Sequence, residues 1–456
     1  MKILWLGSGL LLPLDKGGKL RSWHLLRHLA ARHEVTFLCF ADPAAAPSDV
    51  DGMRQVCRTV ETVPRTPVAK GTARFYLDAA RYLADSLPYA VAAYRSRAYR
   101  ERVASLLAGR RFDALVCDFL VPAVNMPADT GCPSLLFTHN VEAEIWRRHA
   151  ETAEPAWKQV LLRSQWRRML RFEGETVARF DSVLAVSEAD RDTLAALYPR
   201  QLRGPVHVIP TGVDVEYFRS ALGLQRDPVR LVFTGSMDWL PNEDGVLYFC
   251  REILPRIRQS VPDVRLSIVG RQPTPAVQRL AEEDRSIDVT GRVEDIRPHV
   301  GRARVAVVPL RVGGGTRLKI YEAMAMGTPV VSTTIGAEGL PLSPGRDLAL
   351  ADHPESFAAA VVRLVRNDQA WTAMADAALH LVTERYDWSA VAGALEHAIQ
   401  ATVLQRTVRA APGRTAGRAA ASSPGLAAAF QVGAPPAVPL PAPEDATPTN
   451  DARFSS

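Results

Sequence analysis

The chain has 456 residues, more than one hydrophobic core usually organises, so two domains are expected. Its 55 basic and 49 acidic residues leave a net charge of +6, an excess too small at this length to require nucleic acid as a partner. The five cysteines are scattered and never spaced as C-x-x-C, which favours buried free thiols in a reducing compartment over a disulfide framework.

The first predicted element is a β-strand, KILWLG, at residues 2–7. Lys2 before an apolar stretch also occurs in signal peptides, but here a glycine-rich loop and a helical pattern follow, without a small-x-small cleavage site. No run of the chain has the length of a membrane span. We therefore expect a cytoplasmic protein, with peripheral contact at the inner face of the plasma membrane left open.

Short apolar runs alternate with helical patterns along the chain. In the first half the runs are residues 2–7, 35–40, 114–119, 134–139 and 182–187. In the second half they are residues 206–210, 230–236, 265–270, 287–291, 305–310 and 329–333. Runs that are apolar on both faces predict parallel sheets covered by helices on each side. We expect an α/β protein with two doubly wound Rossmann-like domains and a boundary near Leu202–Pro205.

Three further segments depart from this alternation. Residues 66–110 and 141–178 have long helical patterns and are predicted to be insertions that shape a cleft. The last 52 residues, 405–456, contain eight prolines and almost no periodicity. Because such a segment buries too little apolar surface to offset the entropy of ordering it, we predict a disordered tail there.

A glycine-rich loop leads into a helix at residues 311–333, RVGGGTRLKIYEAMAMGTPVVST. Gly313, Gly314 and Gly315 permit a ligand to approach the backbone closely, and Thr316 can cap the helix. The unpaired N–H groups and the dipole at a helix N-terminus favour an anion. This loop therefore predicts an anion-binding site.

The charged residues of the same helix support that prediction. Arg317 and Lys319 add positive charge at its start, and Glu322 can reach past phosphates to a pair of ribose hydroxyls, as acidic residues do in dinucleotide folds. The alternative is a capped surface helix with a Lys319–Glu322 ion pair, which would contribute only ~0.2–0.5 kcal/mol. That alternative leaves the glycines unexplained, so the favoured ligand is a nucleotide diphosphate.

The loop after the first strand resembles two phosphate-binding motifs and matches neither. A dinucleotide fingerprint fails because Leu12 stands at its third glycine position, and a P-loop fails because Leu20 follows Gly18 and Lys19. Gly17 and Gly18 at the start of a helix still suit close approach of a ligand. A plain strand–helix turn explains the same spacing equally well.

A histidine and an asparagine, His139 and Asn140, stand at the carboxyl end of a predicted strand. Ligands of open α/β sheets gather at such strand ends, and polar groups there can bind a sugar. A purely structural histidine is the alternative.

Patterns that suggest a metal are weaker. His24 and His28 stand four residues apart on a predicted helix, but no further ligand accompanies them. The D-x-D triplets at residues 49–51 and 190–192 resemble those with which some sugar transferases hold a cation, yet the second opens a helix, where acids favour the dipole. We expect no metal.

Tryptophans and arginines are interleaved between residues 145 and 173. Trp146, Trp157 and Trp166 with clustered arginines can hold a helix at an anionic membrane surface. The favoured interpretation is a solvated basic face with the tryptophans in the core.

Several of these motifs together resemble a known family. The segments GGGTRLKIYEAMAMGTPVV, VIPTGVDVEYF (208–218), VTGRVEDIRPHVGRARVAVVPL (289–310) and ERYDWSAVAGALEHAI (384–399) are similar, in order, to retaining glycosyltransferases of family 4 with the GT-B fold. In the N-terminal half, THNVEAEIWRR and LAVSEADRDTL resemble transferases of bacterial exopolysaccharide gene clusters. The match covers nearly all of the chain before the tail.

The resemblance implies two Rossmann-like domains that face a cleft. Residues 1–203 would bind the acceptor and residues 204–385 the nucleotide-diphosphate sugar. Residues 386–404 would form a helix that crosses back to the first domain, followed by the tail.

The resemblance also implies roles for single residues. Glu322 would bind the ribose, Arg317 and Lys319 the diphosphate, and His139 would line the sugar site. The remaining donor-binding positions are Gly17, Gly18, Ser236, Gly291, Arg292, Val293, Gly314, Gly315 and Thr316, of which residues 291–293 match the region that touches the base.

Two departures from the family pattern stand out. The acid that often lies eight residues before the E-A-M-A glutamate is replaced by Gly314. The Arg and Lys that often follow the first strand of the second domain are also missing, because GSMDWLPN offers Ser236 and no cation before Arg251. Arg317 and Lys319 are the expected replacements.

The expected function is therefore transfer of a sugar, with retention, from a nucleotide-diphosphate sugar to a saccharide or lipid-linked saccharide, in exopolysaccharide or cell-surface glycan synthesis. No cofactor or metal beyond the donor substrate is expected, and no nucleic acid partner. A nucleotide-sugar epimerase and a non-catalytic nucleotide-sugar-binding protein stay open as alternatives. A nicotinamide dehydrogenase is disfavoured by the missing third fingerprint glycine.

Overall fold

The structure is a computed structural model that describes residues 1–14, 17–66, 85–312 and 318–410, together with residues 68, 72, 77, 81 and 82. Most of the predicted tail, residues 411–456, lies outside the described residues. So does the loop at residues 313–317.

The first half of the chain forms a seven-stranded parallel sheet with the order β3-β2-β1-β4-β5-β6-β7. Its strands are β1 (Lys2–Gly7), β2 (Glu34–Ala41), β3 (Thr59–Pro64), β4 (Ala114–Asp118), β5 (Ser134–Phe137), β6 (Ser182–Ala185) and β7 (Val206–Val208). Its helices are α1 (Gly17–Ala30), α2 (Pro47–Val56), α3 (Tyr89–Ala92), α4 (Arg97–Gly109), α5 (Glu142–Glu151), α6 (Ala156–Val177) and α7 (Glu188–Leu197), with a 3₁₀ turn at Val121–Asn125.

The sequence of β1 shows why this sheet is buried on both faces. Ile3 and Trp5 belong to one hydrophobic cluster, whereas Leu4 and Leu6 belong to another on the opposite face. Alternate side chains of a strand point to opposite faces, so a strand that is apolar at every position needs a layer on each side. The predicted first strand and its parallel neighbours are thereby confirmed.

The second half forms a six-stranded parallel sheet with the order β10-β9-β8-β11-β12-β13. Its strands are β8 (Arg230–Thr234), β9 (Arg265–Val269), β10 (Ile287–Gly291), β11 (Val305–Val308), β12 (Val330–Ser332) and β13 (Ala349–Leu350). Its helices are α8 (Val215–Arg219), α9 (Leu240–Tyr248), α10 (Leu254–Ser260), α11 (Pro275–Glu283), α12 (Arg297–Gly301), α13 (Leu318–Ala325), α14 (Pro354–Arg366) and α15 (Asp368–Leu381), with π-helical turns at Phe249–Ile253 and Val382–Tyr386.

The last strand of the first sheet corrects the strand assignment from the sequence. Residues 206–210 were predicted to open the second series, but β7 pairs in parallel with β6, with Val206 opposite Val183. The sequence of a three-residue strand does not indicate which of two parallel sheets it will join. β7 joins the first sheet because the edge strand β6 is available for pairing. The predicted boundary at 203/204 thus falls before this strand, and we propose that the first domain extends to at least Val208.

The final helix, α16 (Trp388–Ala410), returns to the first sheet. Leu395 and Ile399 are fully buried in the same cluster as Ile3 and Trp5. Further along, the Arg406 guanidinium donates hydrogen bonds to the Cys132 carbonyl at 2.6 Å and to the Asp181 carboxylate at 2.9 Å. The helix continues past residue 404, so the predicted start of the tail at Gln405 is wrong: this anchor holds residues 405–410 in the helix.

The two connections between the sheets lie side by side. The Val213 N–H donates to the Tyr386 carbonyl at 2.7 Å, and the Trp388 N–H donates to the Val213 carbonyl at 3.3 Å. Gly212 allows this contact, because a Cβ there would come within 2.6 Å of the Trp388 ring. The imidazole of His24 on α1 stacks on that ring with centroids 4.9 Å apart.

Candidate active site

Each sheet has one place where its strand order reverses. In the second sheet this point lies between β8 and β11, and in the first sheet between β1 and β4. Ligands of open α/β sheets bind in the crevice outside the carboxyl ends of the strands at this point. Residues 235–239 after β8 and α13 after β11 therefore line the expected crevice of the second sheet.

Lys319 lies at this crevice and is held in place by its neighbours. Its ammonium Nζ donates to Asn242 Oδ1 at 2.9 Å and lies 4.3 Å from the centroid of the Phe233 ring. Asn242 also donates from Nδ2 to the Ser236 carbonyl at 2.8 Å. The asparagine thereby ties the lysine of α13 to the loop after β8.

Two glycines keep the floor of the crevice narrow. A Cβ on Gly270 would lie 1.7 Å from the Gly235 carbonyl oxygen, so the ends of β8 and β9 can pack this closely only without a side chain. A Cβ on Gly235 would lie 2.9 Å from Lys319 Nζ. Glycine at position 235 thus leaves the room that the lysine occupies.

Glu322 follows Lys319 by three residues on α13 and is partly exposed. Burial raises the pKa of its carboxyl from 4.5 to about 7, and the positive charge of Lys319 opposes that rise. Within the described residues, no group donates a hydrogen bond to its side chain. Its oxygens are available to the hydroxyls of a ligand.

The predicted base-binding residues stand at the end of β10. Gly291 has φ +67°, a left-handed conformation that glycine adopts without steric cost. Arg292 after it is exposed, and Val293 is half-buried against the core of the second sheet. β10 lies two strands from β8, about 10 Å at the usual strand spacing.

Ser236 contacts a cation that the sequence analysis missed. Its hydroxyl donates to the Asp238 carboxylate and accepts from Arg271 Nε at 2.8 Å. The sequence analysis considered cations only in the segment after β8. Arg271 instead follows β9, the next strand of the sheet. The sequence feature that could have indicated Arg271 is its position directly after the end of a predicted strand, in RLSIVGRQ.

Gly314, Gly315, Thr316 and Arg317 lie outside the described residues. The structure begins again at Leu318, the first residue of α13.

His139, predicted to line the sugar site, is buried at the carboxyl edge of the first sheet, with 6% of its surface exposed. Its Nε2 lies 2.7 Å from Asp118 Oδ1, and its Nδ1 lies 3.2 Å from the NH1 group of Arg21. Because a guanidinium only donates, Nδ1 accepts and Nε2 carries the proton. Burial lowers the pKa of this imidazole, which is therefore neutral at physiological pH.

The groups around His139 complete a buried polar cluster. Asp118 accepts a second hydrogen bond from Trp5 Nε1 at 3.1 Å. Arg21 donates to the Thr211 hydroxyl in the connection between the sheets, and burial lowers the pKa of its guanidinium to about 10. The imidazole thus bridges a buried carboxylate and a buried guanidinium.

Phe119 explains one of the predicted donor-binding glycines. Its φ of +72° is unusual for a bulky residue, and its ring stacks on His139 with centroids 3.7 Å apart. A Cβ on Gly18 would lie 2.7 Å from the Phe119 ring, whereas nothing lies within 4 Å of such an atom on Gly17. The absence of a side chain at Gly18 therefore makes room for the Phe119 ring. Of the two glycines, only Gly17 faces open space.

The candidate metal ligands are engaged elsewhere. His24 stacks on Trp388, Asp51 pairs with Arg54, and Asp190 accepts from the Ser187 hydroxyl at 2.7 Å. In the part of the chain that the structure describes, no three His, Cys, Asp or Glu residues are grouped as metal ligands.

The three tryptophans of residues 145–173 do not share one environment. Trp146 is buried with 8% of its surface exposed, whereas Trp157 is 67% exposed at the start of α6. The interpretation that placed all of them in the core is wrong for Trp157, because two thirds of its surface is exposed.

Family comparisons match both halves of the chain. A model described as Glycosyltransferase Family 4 matches residues 17–217, and one described as Glycosyl transferases group 1 matches residues 228–367. The chain belongs to the glycosyltransferases. Residues 218–227 separate the two matched ranges, close to the passage from the first sheet to the second.

The curated relatives of this glycosyltransferase are distant. It is 29% identical to an MMP alpha-(1->4)-mannosyltransferase of Mycolicibacterium hassiacum, over 52% of this chain and 57% of that protein. It is 32% identical to a phosphatidyl-myo-inositol mannosyltransferase of Mycobacterium tuberculosis, over 35% of this chain and 45% of the relative. The alignments thus span about half the length of these relatives. A 44.6 kDa protein of the Klebsiella pneumoniae cps region is 20% identical over 62% of this chain and 74% of its own.

Solved structures resemble the glycosyltransferase along most of its length. Sucrose-phosphate synthase of Thermosynechococcus elongatus aligns with a TM-score of 0.56 and 17% identity, over 90% of this chain and 100% of the other. Anabaena HepE in complex with UDP and glucose aligns at 0.55 with 15% identity, over 88% and 99%. At these identities the likeness establishes the fold, and the predicted GT-B architecture is confirmed.

Proposed function

We propose that the protein transfers a sugar from a nucleotide-diphosphate sugar to a saccharide or lipid-linked saccharide acceptor. The observation that supports this most directly is the position of Lys319. Its ammonium is fixed by Asn242 at the crevice where the strand order of the second sheet reverses. Three residues later, the Glu322 carboxyl accepts no hydrogen bond from the described residues.

The chemistry needs stabilisation of a leaving group. As the bond between the sugar and the diphosphate breaks, negative charge grows on the phosphate oxygens. A cation that is already in place stabilises that charge without reorganising, and the gain is largest in a crevice sheltered from water. Lys319 is such a cation because Asn242 and the Phe233 ring fix its ammonium before the donor binds.

Glu322 suits the ribose of the donor. A carboxylate can accept hydrogen bonds from both hydroxyls of a ribose, and the protonated form can still accept one and donate another. With a pKa of about 7, raised by burial, the side chain samples both forms near neutral pH. The base then extends toward the end of β10, where Gly291, Arg292 and Val293 lie.

We infer retention at the anomeric carbon and a role in exopolysaccharide or cell-surface glycan synthesis. Retention is supported by the family resemblance, and the glycan role by the similarity to a protein of a cps region. Same-face attack by the acceptor needs no enzyme nucleophile.

We also propose peripheral contact with an anionic membrane through α6. Trp157 and Val160 are each 67% exposed on this helix, and Arg163, Arg167 and Arg171 continue its exposed side. An aromatic and aliphatic patch beside arginines fits the interface of an anionic bilayer. Among the residues that the structure describes, no helix combines the length and apolar composition of a membrane span.

The experiment is a donor screen followed by turnover. Uridine- and guanosine-diphosphate sugars are first screened for binding by thermal shift. Release of the nucleoside diphosphate is then measured for each binder with and without saccharide or polyprenyl-diphosphate-saccharide acceptors. Acceptor-dependent release supports the proposal. Conversion of the donor to an epimer without acceptor would identify an epimerase, and binding without diphosphate release from any donor would identify a non-catalytic binding protein.

A further inference from the structure

The loop after β8 offers no cation of its own to a diphosphate. Its residues from Gly235 to Asn242 contain Asp238 as their one charged side chain. On the other side of the crevice, Lys319 supplies one positive charge, and Arg317, which is also expected at the diphosphate, lies outside the described residues. A diphosphate carries more than one negative charge, so a second cation is expected nearby.

Arg271 reaches this loop from the neighbouring strand. It follows Gly270 at the end of β9, and its backbone carbonyl accepts a hydrogen bond from the Met237 N–H at 3.0 Å. Its side-chain Nε donates to the Ser236 hydroxyl at 2.8 Å. Both the backbone and the side chain of this arginine are therefore fixed against the loop after β8.

A continuous series of hydrogen bonds connects Arg271 with Lys319. The arginine donates to the hydroxyl of Ser236, the carbonyl of Ser236 accepts from Asn242 Nδ2, and Asn242 Oδ1 accepts from Lys319 Nζ. The two cations thus stand on either side of a shared serine and asparagine at one crevice. Both cations are therefore held against the loop after β8 by hydrogen bonds.

The outer edge of the Arg271 guanidinium is unused. Nε makes the contact with Ser236, and neither terminal nitrogen has a hydrogen-bond or ion-pair partner among the described residues. The side chain is exposed. By contrast, the nearby Arg311 is engaged by Asp244 and the Tyr248 ring. Two parallel N–H groups of a guanidinium match the oxygens of a phosphate.

We propose that Arg271 binds the diphosphate of the sugar donor, opposite Lys319, in place of the cation that the loop after β8 lacks. Ser236 acts as a positioning residue, because its hydroxyl orients the guanidinium through Nε. This assignment rests on the proposed function and names a residue of the same site.

The test compares the arginines at the two ends of β9. Arg271→Ala removes the cation at the carboxyl end of β9, and Arg265→Ala removes an exposed arginine at the amino end of the same strand as a matched control. Calorimetry measures the dissociation constants of the nucleoside diphosphate and the nucleoside monophosphate of the base that the wild type prefers. Circular dichroism and the unfolding temperature confirm that each variant is folded.

Arg271→Ala should weaken diphosphate binding by about tenfold or more, since one bidentate charge-assisted contact is lost, and monophosphate binding much less. Arg265→Ala should bind both ligands as the wild type does. The diphosphate affinity of Arg271→Lys should lie between those of the wild type and Arg271→Ala, because lysine keeps the charge without the planar guanidinium. Ser236→Ala should lose less diphosphate affinity than Arg271→Ala.

Unchanged diphosphate affinity in folded Arg271→Ala would overturn the assignment while leaving the proposed function intact. Equal losses for both nucleotides would also overturn it, because a contact limited to the diphosphate cannot produce them. A wild-type protein that binds no nucleoside diphosphate would overturn the proposed function, and this assignment with it.

Discussion

Nδ1 of His139 accepts a hydrogen bond from the guanidinium of Arg21 at 3.2 Å, although 118 residues separate them in the chain. The same guanidinium donates to Thr211, and the same imidazole contacts Asp118 at 2.7 Å. The carboxyl edge of the first sheet is thereby linked to the connection that leads into the second. His139 has a demonstrable structural role in this cluster, beside the sugar contact that the resemblance implied.

The first prediction concerns His139. His139→Ala should lower the free energy of unfolding by about 2–4 kcal/mol, because it leaves the buried Asp118 and Arg21 short of a partner. Urea denaturation at pH 7 measures the loss. The control is His149→Ala, since His149 is exposed on α5, and its free energy of unfolding should be close to that of the wild type. A stable His139→Ala variant with strongly reduced turnover would instead support the sugar-site role.

The second prediction concerns Lys319. Lys319→Ala should reduce kcat by about 10²–10³, the usual effect of removing one preorganised group that stabilises developing charge. Steady-state release of the nucleoside diphosphate measures it. Lys2→Ala, at an exposed lysine of the first sheet, is the control and should keep full activity. If Lys319→Ala turns over normally, the lysine has no part in the mechanism.

The third prediction concerns the pH dependence that Glu322 introduces. Its pKa in the folded protein, raised by burial to about 7, lies above the ordinary 4.5, so the folded state binds more protons between these values. This contribution therefore destabilises the fold as pH rises from 4.5 through 7, by at most about 3 kcal/mol. Relative to wild type, Glu322→Gln should gain stability at pH 8 and not at pH 4.

The same variant should lose function, which gives a second measurement. An amide replaces a charge-assisted acceptor, so nucleotide binding by Glu322→Gln should weaken by about tenfold. Calorimetry with the preferred nucleoside diphosphate measures the loss at pH 8. Wild-type affinity in this variant would remove Glu322 from the ribose site.

The fourth prediction concerns His24, which stacks on Trp388. Burial lowers the pKa of its imidazole from 6.5 to about 4; Arg27 and His28 lower it further, and Asp214 and Asp387 oppose the shift. The unfolded chain then binds more protons between pH 6.5 and 4, so stability should fall as pH drops through this window. His24→Phe keeps an aromatic ring and should flatten that fall in urea titrations; an unchanged slope would contradict the prediction.

The fifth prediction concerns Glu173, a fully buried carboxyl of α6. It accepts hydrogen bonds from the N–H groups of Glu142 and Ala143 at the start of α5 and from the Tyr198 hydroxyl at 2.8 Å. Burial raises the pKa of this carboxyl to about 7, against these three donors. Glu173→Ala leaves the donors unsatisfied and should cost about 3 kcal/mol or more of folding free energy. The exposed Glu175→Ala is the matched control.

The sequence alone predicted the elements whose cause is local. The runs around residues 3–6 and 305–308 are apolar at every position, and such strands need helices on both faces, so two parallel sheets followed from pattern alone. Lys319 and Glu322 were singled out in a similar way, as charged residues one turn apart in a helix that follows a glycine-rich loop. These are properties of a few neighbouring residues.

Only the tertiary structure determined which distant residues meet. β7 joined the first sheet, Arg271 reached Ser236 across 35 residues, and Arg21 reached Thr211 across 190. The hydrophobic periodicity of the sequence predicts whether a residue is buried. Its hydrogen-bond partner depends instead on which strand ends pack side by side. That choice depends on sheet order and loop geometry, which the order of residues in the chain leaves open.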